Sequence, residues 1–117
     1  MKFVNFSVNG STRIGIVKNG RVIDLSQRLG QDYPDMVSCI ERGGLAAARQ
    51  LEATEAGDYD YEQVSLLPVV PRPRRIFCIG LNYHDHVAEA DKALGGRKVP
   101  TKPMVFARWP ESLTAHR

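Results

Sequence analysis

At 117 residues, with 43% hydrophobic and 25% charged side chains, the chain has the bulk make-up of one modest globular domain, or of one small domain and part of another. No apolar run approaches the ~20 residues of a membrane span, and the N-terminus MKFVNFSVNGSTRIG breaks into polar residues and glycine too soon for a signal peptide, so a cytoplasmic protein with no membrane partner is expected. The net charge of +3 is uneven, with seven basic against nine acidic residues in 1–70 and nine against four in 71–117.

A basic second part suits an anionic small molecule. Nucleic acid is not expected, because the cluster Arg72, Arg74, Arg75 is short, broken by proline and has no aromatic residues interleaved for base stacking. Cys39 and Cys78 lie far apart with no C-x-x-C spacing, which excludes zinc ribbons and redox motifs and leaves two reduced, buried thiols.

In chain order, KFVNFSV, RIGIVK and RVIDL alternate in the manner of strands and are separated by Asn9-Gly10 and Asn19-Gly20, pairs that tolerate the positive φ of tight hairpins. A three-stranded meander follows. From YPDMVSCIERGG the period changes: Pro34 suits a first helical turn, Asp35 favours its N-terminal end, and Met36, Val37 and Ile40 recur at helical spacing. A second helix over residues 44–53 would align Leu45, Ala48 and Leu51, and the two helices would cover one face of the meander. LLPVVPRPR, with three prolines in nine positions, reads as a stiff connector, placing a domain boundary near residue 70.

Beyond it, RIFCIG fits a short strand buried on both faces. Asn82 is the expected N-cap of a helix through YHDHVAEADKAL ending at Gly95-Gly96, and PMVFARW reads as a further strand. The chemistry concentrates at the start of that helix. His84 and His86 could share a metal only in a strand, where residues two apart face the same side; in a helix they diverge by ~200°. His86 and Glu89, spaced i,i+3, share a helix face, and a carboxylate beside an imidazole orients the ring and raises its basicity, the minimum for a general base. Spacing alone leaves open a solvated face with a casual contact.

IFCIGLNYHDHVAEA followed by KPMVFARWPESLTAH resembles the fumarylacetoacetate hydrolase family, whose members carry a G-x-N-Y-x-x-H-x-x-E segment, then a P-x-x-F-x-K strand and an S-L turn. Gly80, Asn82, Tyr83, His86, Glu89, Pro103, Phe106 and Ser112-Leu113 match in order. The resemblance implies an α+β fold: a small N-terminal meander with two helices (1–70), then the opening strand-helix-strand of the family's β-roll (71–117), expected to be incomplete. It implies a hydrolase, decarboxylase or isomerase of β-diketo or oxo acids, with His86 and Glu89 catalytic and Asn82, Tyr83 and Arg108 binding substrate. Arg108 stands where the family has lysine, a planar fork in place of a point charge. The family's Mg²⁺ or Mn²⁺ is expected of a full-length member, as is a homodimer. The metal ligands are a Glu-x-Glu pair and a later aspartate, and no Glu-x-Glu follows residue 89 here, so no metal site and no turnover are expected of these residues alone. The alternative is a non-catalytic remnant that serves as a binding or interaction module.

Overall fold

The computed structural model of the chain describes residues 1–94 and 102–116. It forms two compact units, one of residues 1–71 together with those from 113, the other of residues 72–112.

The first unit opens with β1 (Lys2–Val8), β2 (Ser11–Lys18) and β3 (Arg21–Asp24), paired antiparallel in sequence order. Both connecting turns have the expected positive φ, 50° and 75° at Asn9-Gly10 and 51° and 74° at Asn19-Gly20. β3 ends sooner than RVIDL suggests. The Asp24 side chain accepts a hydrogen bond from Gln27 N at 2.9 Å, and Leu25 begins a short helix, α1 (Leu25–Leu29), that hydrophobic alternation did not reveal. Asp35 likewise caps α2 (Met36–Glu41), accepting from Ser38 N at 2.8 Å, so Pro34 lies ahead of the cap rather than in the first turn. α3 (Leu45–Thr54) closes with Lys18 Nζ donating to the carbonyls of Glu52 and Glu55 at 2.6 and 3.1 Å, a cation serving the negative end of a helix.

Ile14, Ile16 and Ile23 from the sheet pack with Leu25, Met36, Cys39 and Ala48 from the helices, with Phe3, Leu51 and Val70 at the margin. The helices therefore cover one face of the meander. The other face is also apolar, which the meander-plus-helices reading did not anticipate. β4 (Tyr59–Asp60) adds beside β3 and β5 (Ser65–Leu67) beside β1, giving the order β4-β3-β2-β1-β5. Five residue steps from Asp60 to Ser65 reach at most about 18 Å, whereas four strand spacings of a flat sheet need about 19 Å. A 3-10 turn at Tyr61–Gln63 shortens the reach further, so the sheet curls. Phe6, Val22 and Val64 fill the inside of the curl with Tyr59, Tyr61 and Leu66 around them. Gly15 stands where β2 bends: a Cβ there would lie 2.7 Å from the Ile23 carbonyl oxygen and 2.8 Å from Val22 Cγ1.

A polar seam ties the curl to its helices. Arg13 pairs with the buried Asp24 at 2.7 Å, and Arg28 reaches Asp58 at 2.6 Å and Glu55 at 2.8 Å, while Asp58 also accepts from the Asp24 backbone N–H at 2.7 Å. The hydrogen bond from Arg28 holds the Asp58 carboxyl below its ordinary value, and Asp58 in turn holds the Arg28 guanidinium well above its own. Asn5, buried on β1, donates its amide to the Pro68 carbonyl at 3.1 Å and so fastens the start of the proline-rich segment.

The second unit contains β6 (Ile76–Gly80), α4 (His84–Leu94) and β7 (Met104–Arg108), the strands pairing antiparallel with Gly80 opposite Met104 and Ile76 opposite Arg108. β6 is not buried on both faces: Phe77 is 67% and Ile79 48% exposed. Paired with β7 alone among the described strands, its alternate side chains meet solvent. Cys78 is correspondingly half-buried, whereas Cys39 is buried in the first unit, and both thiols are free. The helix stop expected at Gly95-Gly96 lies outside the described residues.

Candidate functional site

The chain leaves β6 at Gly80 and turns sharply at Leu81, whose φ of 52° places a non-glycine residue in the left-handed region. Two residues later the helix begins. The carbonyl of Tyr83 accepts from Val87 N at 3.0 Å, making Tyr83 and not Asn82 the residue that starts the helical ladder. Asn82 is thereby left in the loop, where it lines an open cleft of about 330 Å³ between Gly80–Asn82 and Lys102–Met104. Tyr83 is exposed beside it.

His86 and Glu89 both project from the first half of α4, with His86 Nδ1 4.0 Å from Glu89 Oε2. This is the i,i+3 proximity expected of a helix, about 1 Å longer than a hydrogen bond. The two side chains are 57% and 80% exposed, so a small rotamer change closes the pair. Catalytic hydrogen bonds commonly tighten in this way only when substrate is present. Because His84 and His86 are both helical, the strand geometry that an H-x-H metal pair needs is absent.

Arg108 is not brought to Asn82. It closes the ladder opposite Ile76, four residue steps or about 13 Å of strand from the Gly80–Met104 end. Its guanidinium lies 5.7 Å from the centre of the Phe106 ring, and it borders a separate cleft with Arg74, Arg75 and Trp109. The cation that does face Asn82 is Lys102, which the sequence reading passed over. The signal was available: two places before the first residue of β7 stands Lys102, two places after the last of β6 stands Asn82, and an antiparallel register sets such positions opposite each other.

Among the described residues, no group of three or more His, Cys, Asp or Glu converges to hold a metal ion. His86 and Glu89 are two donors splayed toward solvent, so these residues do not fit a divalent cage of the kind expected for the family.

The order of elements and motif residues is shared with known proteins. Residues 75–117 match the family model described as fumarylacetoacetate hydrolase, C-terminal. The oxaloacetate tautomerase Fahd2a, mitochondrial, of Rattus norvegicus is 33% identical over 96 residues, covering 80% of this chain and 29% of that protein. The chain belongs to the fumarylacetoacetate hydrolase family. The oxaloacetate tautomerase YisK of Bacillus subtilis is 29% identical, with 99% of this chain and 44% of that relative covered. Among solved structures, a protein of Mycobacterium smegmatis described as HpcE superposes with a TM-score of 0.67 at 27% identity, and the fumarylacetoacetate hydrolase of Exiguobacterium antarcticum with 0.57 at 28%. Each covers 96% of this chain, which spans 37% and 36% of theirs. The chain thus spans well under half the length of the family members compared.

Proposed function

We propose that the chain carries the acid/base segment of an enzyme acting on β-diketo or related oxo acids, by hydrolysis, decarboxylation or keto–enol isomerisation. The observation that carries this reading is the pairing of His86 and Glu89 on one face of α4, directly after the loop bearing Asn82 and Tyr83. Two relatives named as oxaloacetate tautomerases support the isomerase branch of the family.

In this reading the neutral His86 imidazole accepts a proton, either from water attacking a carbonyl or from the carbon between two carbonyls. Glu89, closing from 4.0 Å, fixes which ring nitrogen is free and stabilises the imidazolium that forms. The Asn82 amide and Tyr83 hydroxyl donate to substrate oxygens as enolate charge develops. Mg²⁺ or Mn²⁺, expected from the family, would stabilise that enolate as a Lewis acid where a cage exists. No step assigned to the present residues passes through it, and these 117 residues by themselves are proposed to lack metal-dependent turnover.

The test is steady-state kinetics on oxaloacetate and an acylpyruvate, using the protein as expressed from its gene. His86→Asn is expected to lower kcat by about 10²–10⁴-fold with little change in KM, the range for losing a general base. Retained kcat would overturn the acid/base assignment and favour the alternative, a non-catalytic binding module, for which the exposed Phe77, Ile79, Val105 and Trp109 speak. For the purified 117-residue chain, a measurable Mg²⁺-dependent cleavage rate would reject the proposed lack of turnover.

A further inference from the structure

We propose that Lys102 holds the substrate's carboxylate, with the Asn82 amide beside it, in the role that resemblance assigns to Arg108. This rests on the oxo-acid reading and names the residue that recognises the acid. Three observations carry it. The first is position: Lys102 and Asn82 lie on the two sides of one open cleft, at the end of the ladder from which α4 departs, and Arg108 lies at the other end.

The second is availability. No carboxylate lines this cleft, and among the described residues no hydrogen bond or ion pair engages Lys102 or Asn82, so neither must surrender a partner to take a ligand. Arg108 is placed differently, its guanidinium over the Phe106 ring and its cleft shared with Glu111. The third is backbone strain. A leucine held at a φ of 52° costs free energy that a simple strand-to-helix connection could avoid, and the turn it makes leaves Asn82 in the loop that lines the cleft. An ammonium and an amide on facing walls offer hydrogen-bond donors, which suits a small carboxylate of the size of an oxo acid's head group.

The experiment is a titration of the 117-residue chain with oxalate, a two-carbon dicarboxylate, followed by amide resonances in ¹H–¹⁵N spectra. Residues 80–82 and 102 are expected to shift. Lys102→Gln should weaken oxalate binding about 10-fold, Lys102→Arg should restore most of it, and Arg108→Gln should change it less than about 2-fold, as expected when one charge-assisted contact is removed or kept. Unchanged resonances of the first unit report that each variant is folded. Loss of binding in Arg108→Gln with retention in Lys102→Gln overturns the proposal, as does an absence of any shift at residues 80–82. Because binding is read without turnover, the Lys102 assignment can fail while the His86 kinetics hold, and the converse result is equally distinguishable.

Discussion

Gly15 shows at the scale of one residue how the curl constrains the sequence. An added methyl would meet a backbone carbonyl at 2.7 Å as well as a valine methyl at 2.8 Å, and the carbonyl cannot turn away without breaking the β2–β3 ladder. Gly15→Ala is expected to destabilise the first unit by about 1–3 kcal/mol, read as a fall in the urea midpoint. Asp58 supplies a second prediction. Its folded pKa lies below the ordinary value of 3.8 because Arg28 donates to it, so its contribution to stability is present above that value and is lost as pH falls through the lower folded one. The urea midpoint should therefore drop on acidification from about pH 4 downward, and Asp58→Asn should flatten that part of the profile. Neither residue stands out in the sequence. Gly15 sits in an ordinary strand pattern and Asp58 in a polar loop, and their roles arise from neighbours more than six and about thirty residues away respectively. His86 and Glu89 are the opposite case, because an i,i+3 relation is a local property of a helix and needs no distant segment to create it.

Elements were legible where a local rule sufficed. The two Asn-Gly turns dictate hairpins whatever the rest of the chain does, and β1, β2 and β3 follow. α2 and α3 are set by apolar spacing and by Asp35. Because the Asp35 carboxylate caps α2 through the Ser38 N–H and hydroxyl, Asp35→Ala should cost about 1 kcal/mol, measured by thermal or urea unfolding. The same backbone hydrogen bond holds the Asp35 carboxyl below its ordinary value. β4 and β5 escaped sequence reading for a physical reason: strands of two and three residues carry too few alternations to register, and they exist only because the edges of β3 and β1 offer unpaired backbone groups. β6 erred in the other direction. A continuous apolar run reads as burial on both faces, but burial depends on what stands on either side of the strand, and that information is not in the run.

For the whole molecule, both apolar clusters draw all their residues from between positions 3 and 70. Brief trypsin digestion at the exposed Arg74 and Arg75 should therefore leave an N-terminal piece that still unfolds cooperatively with an unchanged midpoint, checked by mass spectrometry and circular dichroism. A lost transition would mean that the later residues contribute to the first unit's core. The sequence by itself determined the hairpins, the helices, the kinship of the chain and the His86–Glu89 pair, because turns, helical period and short motifs depend on neighbours a few positions apart. Only the tertiary structure decided that the sheet curls around a second core, that Gly15 must be glycine, and that Lys102 rather than Arg108 meets Asn82. Each of these depends on strand register and on which face another segment covers, and such relations come into being only when distant parts of the chain are brought together.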